Sequence, residues 1–167
     1  MIEKSDILLD SCIINHLLSK DKKLSKQAAE LIEALAKNHN RLSISQFTLY
    51  EIFRGQNDSQ RKKAEKELEN FIVIDHTQLR QQRATALFSA YKKVRDIKQR
   101  MDSISDCDIF IGSLIFTERK PLLLTCDFHD FPRPFFREVD ITKIENKSGK
   151  KEICYFFQAD LETFLEG

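Results

Sequence analysis

Four acidic residues stand where solvation alone is a poor explanation for them: Asp10, Glu51, Asp108 and Asp127. Asp10 ends the apolar run of "ILLDSCIINHLL", and Asp127 follows the apolar run of "PLLLTCDFHDF". A charge at the end of a buried strand is costly to desolvate unless it is paired or holds a metal. Glu51 lies within "SISQFTLYEIFRG", and Asp108 within "SDCDIFIGSLI". Taken singly, each acid also has a structural reading. Asp10 can cap the helix after it, and Glu51 can sit on a solvated helix face. Asp108 can form a capping box with Ser105 three residues before, and Asp127 can close an Asx turn. Asp102 and Asp106 read as loop and helix-start residues, and Asp130 is set aside as the weakest of the nearby acids. Taken together, four carboxylates on one rim repel each other unless something positive lies among them. Oxygen donors without a partnering cysteine suit Mg²⁺ or Mn²⁺. Such a site binds phosphate oxygens and activates water. With two ions ~3.5–4 Å apart it stabilises both the attacking and leaving oxygens of an in-line displacement. That is the chemistry of phosphodiester hydrolysis.

The elements that must position these acids follow from hydrophobic patterning. "DILLD", "RLSIS", "FIVID" and "PLLLT" are short apolar runs that read as strands, separated by segments of helical spacing. Residues 11–19 read as the helix after the first strand. Leu24, Ala28, Leu31, Ile32 and Leu35 mark one amphipathic helix, and "QFTLYEIFRG" a second, stopped at Gly55. "SQRKKAEKELENF" is a polar helix opened by Ser59. Leu87, Ala90, Tyr91, Val94, Ile97 and Met101 predict a long helix, and "DCDIFIGSLIFTER" a buried one. Alternating strands and helices predict an α/β fold, a central parallel sheet flanked by helices. "REVDITKI", "ENKSGKK" and "EICYFFQAD" read as strand, turn and strand, an antiparallel hairpin extending the sheet, with "LETFLE" a closing helix. "FPRPFF" reads as the brace of that hairpin. In parallel α/β sheets ligand sites gather at the carboxyl ends of strands, the rim where Asp10 and Asp127 fall.

The four quoted segments, in this order, resemble the motifs of the PIN-domain family of metal-dependent ribonucleases, especially its prokaryotic VapC-type toxin branch. The resemblance spans residues 7 to 131. It implies a PIN-like sheet and places Asp10, Glu51, Asp108 and Asp127 as the catalytic acids that hold Mg²⁺ or Mn²⁺. Asp106 competes with Asp108, but Asp108 has the motif's spacing to Ile111, Gly112 and Ser113. Thr125 and Ser11 would support water or phosphate nearby. The implied reaction is cleavage of RNA by water, and the implied partners are an RNA substrate, an antitoxin protein and a second copy of the chain. The chain departs from the compact toxins in continuing past the fourth motif. The expected organisation is one PIN-like domain over 1–167, with a core of about 5–131 and a C-terminal extension of 132–167. The alternative is a non-catalytic PIN-like module that binds RNA or protein. A phosphatase of the haloacid-dehalogenase type wants an acid where Cys12 stands, and a receiver domain wants a lysine that "TCDFHD" does not supply.

Bulk properties agree with a helix-rich α/β protein. The chain has 167 residues, 41% hydrophobic and 32% charged, with few glycines and prolines. No apolar run reaches the ~20 residues that span a bilayer, and "MIEKSDILLD" lacks the features of a signal peptide. Cys12, Cys107, Cys126 and Cys154 are widely spaced, and read as reduced thiols of a cytoplasmic protein, not as a zinc site or disulfide framework. His16, His39, His76 and His129 form no metal-spaced pair. The net charge of +1 excludes a strong global attraction to nucleic acid, so basic surface must be local: "KKVRDIKQR", "RKK" and "KSGKK".

Overall fold

The computed structural model describes residues 2, 4–99, 101–117 and 119–166. The apolar runs form strands as expected: β1 (Asp6–Leu9), β2 (Arg41–Ser45), β3 (Ile72–Ile74) and β4 (Leu122–Thr125) are mutually parallel. The last two, β5 (Phe136–Glu145) and β6 (Lys151–Ala159), form the antiparallel hairpin, and β6 pairs antiparallel with β4. The six-stranded sheet runs β3-β2-β1-β4-β6-β5.

Helices cover both faces: α1 (Ser11–Leu17), α2 (Lys22–Lys37), α3 (Gln46–Phe53) and α4 (Asp58–Leu68) precede β3. After it come α5 (Gln78–Lys93), α6 (Arg95–Lys98), α7 (Asp106–Ser113) and α8 (Leu161–Glu166). Side chains alternate across the pleat. Leu8, Leu123 and Phe157 pack on one face with Leu87, Tyr91 and Ile111. Ile7, Leu9, Leu124 and Phe156 pack on the other with Ile13, Ile14 and Leu35. Burial on both faces explains why these strands read as continuous apolar runs. The edge strand β3 is the exception, with Ile72 and Val73 exposed.

Several boundaries differ from the sequence reading, three of them for a clear local reason. The long helix predicted through Met101 breaks after Lys93, because Val94 takes an extended conformation. The chain restarts as α6 with Ile97 buried, so the apolar spacing persisted across a break in the backbone. The polar helix opens one residue before Ser59, because Asn57 and Gln60 form a reciprocal capping box. The buried helix ends at Ser113: Leu114, Ile115 and Phe116 donate to carbonyls three residues back, which tightens the chain out of the α-helix. Arg100 and Glu118, which fall in "KKVRDIKQR" and "DCDIFIGSLIFTER", lie outside the described residues.

"FPRPFF" braces the hairpin as expected. Phe131, Phe135 and Phe136 are buried, while Arg133 and Pro134 are exposed. Phe131 and Phe136 meet α7 at Gly112, where a Cβ would lie 2.9 Å from Phe136 Cζ. The close approach of these rings to α7 depends on that missing Cβ.

Candidate metal centre

Parallel pairing puts the ends of β1 and β4 side by side, with Leu9 opposite Leu124. The Asp10 amide donates to the Leu124 carbonyl at 3.0 Å, extending the pairing by one step. Asp10 is the N-cap of α1 and is only 3% exposed. Its Oδ1 accepts from the Ser11 amide at 2.6 Å, and its Oδ2 from the Thr125 hydroxyl at 2.6 Å and the Cys12 thiol at 3.3 Å. Burial nevertheless outweighs these donors and, with the negative charge of Asp108 adding to it, pushes the carboxyl up to about 6. The expected cap is therefore present, and it coexists with a carboxylate held at real electrostatic cost.

Thr125 is fully buried and connects two of the acids. It donates to Asp10 and accepts from the Asp127 amide at 2.9 Å. Its hydroxyl thus fixes protein groups. Asp127 Oδ1 in turn accepts from the His129 amide at 3.0 Å, the Asx turn foreseen in the sequence.

Asp108 forms the expected capping box of α7. Its Oδ2 accepts from the Ser105 amide at 3.1 Å and the Ser105 hydroxyl at 2.5 Å. The Asp108 charge is felt at Asp10, Asp130 and Tyr91. Asp106, the competing acid, is exposed and acts only weakly, on Cys107.

Glu51 arrives from the other side. The Ser45 side chain caps α3 by accepting from the Thr48 amide at 2.8 Å, which starts that helix directly at the end of β2. Phe47 stacks on Phe110 of α7 at 4.3 Å between centroids, and Glu51, one turn further on, faces Cys107. Burial, with the charges of Glu51 and Asp108, pushes the Cys107 thiol up to about 11. Glu51 Oε2 is buried and without a hydrogen-bond partner.

Sequence reasoning undervalued two residues. Burial and then the charges of Asp108 and Asp127, together with a hydrogen bond to Asp127, push Asp130 up to about 7. Its three-residue spacing from Asp127 was the available signal. Tyr91, read as core, has a buried hydroxyl without a partner. Burial, with the charges of Asp108 and Asp130, raises it well above the ordinary phenol value.

The fold thus brings Asp10, Asp108, Asp127 and Asp130 into one field of mutual repulsion, with Glu51 on its flank beside Cys107. The donor set is all oxygen and suits a hard cation. The orphaned, buried Glu51 Oε2 is an atom such an ion would satisfy. A cavity of about 300 Å³ lies elsewhere, between Asp6, Arg41, Arg80, Arg83 and Arg119. It contains none of these acids. An open groove of about 610 Å³ lined by Val94, Ile97, Phe128 and Arg133 begins one residue from Asp127.

The chain matches the PIN domain family model over residues 7–134. It belongs to the PIN domain family. Among solved structures, this PIN protein is similar to VapBC2 from Rickettsia felis bound to a DNA fragment from their promoter. That likeness has 19% identity, covers 66% of this chain and 79% of the other, and has a TM-score of 0.49. No curated protein matches the chain. The family match begins within β1 and ends in the "FPRPFF" segment, so all five clustered acids lie inside it. Among the described residues, no helix is long and apolar enough to cross a membrane.

Proposed function

We propose that this PIN protein is a metal-dependent ribonuclease that hydrolyses RNA phosphodiester bonds. The observation that carries the reading is the buried Asp10 carboxylate held in one field with Asp108, Asp127 and Asp130, with the buried, partnerless Glu51 Oε2 on its flank, in a member of a nuclease family. Asp10, Glu51, Asp108 and Asp127 hold Mg²⁺ or Mn²⁺, and Asp130 joins them. A bound ion of this kind lowers the pKa of a coordinated water and offsets phosphate charge. The chain's own contribution is positional. Thr125 donates to Asp10 and ties the Asp127 backbone to it, and Ser105 anchors one oxygen of Asp108. Phe47 against Phe110 sets the depth of Glu51.

The groove beside Asp127 gives an RNA strand a path, with Arg133 available to phosphates and Phe128 to a base, and with Asp96 as the acid on its wall. The toxin role, an antitoxin that occludes the groove, a homodimer and a cytoplasmic location belong to the same proposal and come from the resemblance to the toxin branch.

The test is cleavage of a mixed panel of single-stranded and structured RNAs with Mg²⁺, Mn²⁺ or EDTA, wild type beside Asp10→Asn. Cleavage that requires metal and disappears in the variant is expected. Full activity in Asp10→Asn sinks the assignment. Metal binding without cleavage of any RNA in the panel points to the non-catalytic module.

A further inference from the structure

A second group of ligand-type side chains lies outside the acid cluster. His16 from α1, Cys126 just past β4 and Glu152 from β6 bring one ligand atom each to within 4.8 Å of one another. We propose that these three residues form a second metal site, selective for a borderline-soft divalent cation such as Zn²⁺.

The donor chemistry separates this site from the acid cluster. Imidazole, thiolate and a single carboxylate are zinc ligands, whereas Mg²⁺ and Mn²⁺ favour oxygen donors. The geometry is close to what one ion needs. Zinc–nitrogen and zinc–oxygen bonds of ~2.0–2.2 Å and a zinc–sulfur bond of ~2.3 Å in a tetrahedron place ligand atoms roughly 3.3–3.6 Å apart. His16 Nε2 already stands 2.9 Å from Glu152 Oε2. That nitrogen is buried, yet no hydrogen bond is formed with the carboxylate, so its position is explained by proximity and not by a directed N–H. Cys154 Sγ lies 3.1 Å from Cys126 Sγ, so the sulfur end of the site is thiol-rich, and the fourth coordination position is left to water or that thiol. The three side chains differ in access: His16 is 14% exposed and Glu152 45% exposed, so an ion reaches the site from the Glu152 side without unfolding the core.

Binding converts the Cys126 thiol to a thiolate and releases its proton to water. The bound ion ties α1, the end of β4 and β6 together. It clamps the C-terminal hairpin to the parallel part of the sheet one residue from Asp127.

Co²⁺ added to the metal-free full-length chain tests the site, because thiolate ligation gives a near-ultraviolet charge-transfer band that an all-oxygen site does not. One equivalent is expected to produce that band with tetrahedral visible bands, and Zn²⁺ is expected to displace it and raise Tm. The band persists in Asp10→Asn, which keeps the result separate from the acid cluster. His16→Ala and Cys126→Ser are expected to lose it and to weaken Zn²⁺ binding at least ~10-fold. Glu152→Gln, at a half-exposed position, serves if either of those variants fails to fold. Cobalt binding without a thiolate band overturns the proposal, and so does a band unchanged in folded His16→Ala or Glu152→Gln.

Discussion

Asp10 concentrates the electrostatic problem of this fold in one side chain. Its carboxyl is pushed up to about 6, above the ordinary 3.8, chiefly by burial. The folded chain therefore binds that proton more tightly than the unfolded chain does. The resulting stabilisation is fully present below about pH 4 and is lost as pH rises through about 6. In chelator-treated protein, Asp10→Asn should gain stability relative to wild type between pH 4 and pH 7, by up to about 3 kcal/mol. Urea denaturation at each pH measures the difference, and a difference that does not vary with pH would contradict it. Divalent metal should reverse the ranking, because under the proposed function the ion binds wild type and not the variant. Thr125 gives a second prediction at this scale. Thr125→Val keeps the shape but removes both the donor to Asp10 and the acceptor for the Asp127 amide. Metal affinity should fall ~10–100-fold, with Thr125→Ser retaining most of it, as isothermal titration would record.

At the scale of elements, α3 packs against both α1 and α7, and α7 carries Asp108. On α7 a close packing point is Gly112, where Phe131 and Phe136 press on the helix. Gly112→Ala favours the helix by about 1 kcal/mol, but it overpacks a buried aromatic contact at a cost of about 1–3 kcal/mol. Overpacking wins, because the Phe136 ring is itself buried and has little room to yield. A net destabilisation of up to about 2 kcal/mol is expected in denaturant melts, and the proposed cleavage should fall by more than stability alone accounts for as Asp108 shifts. Equal or higher stability would show that the ring moves aside freely.

At the scale of the molecule, the hairpin is more than an appendage. Leu122–Thr125 of β4 pairs on one side with β1 and on the other with β6. Phe136, Phe156 and Phe157 from the hairpin lie in the two hydrophobic clusters. A chain ending after Phe131 exposes the edge of β4 and removes those rings. It should lose its cooperative unfolding transition and aggregate. A cooperative melt of the truncated chain would instead mark 132–167 as dispensable.

Much of this architecture was legible in the chain itself. Strands buried on both faces need unbroken apolar runs, so "DILL" and "LLLT" announced β1 and β4, and the acids directly after them fell on the strand-end rim. The caps at Asp10 and Ser105 were equally readable, since capping depends on residues within one turn. Other features depend on which segments pack together. The break at Val94 left the apolar period intact and was invisible to it. Asp130 looked like an ordinary loop acid until the fold set it against Asp127 and Asp108. His16, Cys126 and Glu152 show no metal-binding spacing, because they meet only through the pairing of β4 with β6 and the docking of α1. Local sequence determined the elements and the rim they present. Tertiary structure alone decided which charges share that rim, because Coulomb and coordination energies depend on distance in space and not on separation along the chain.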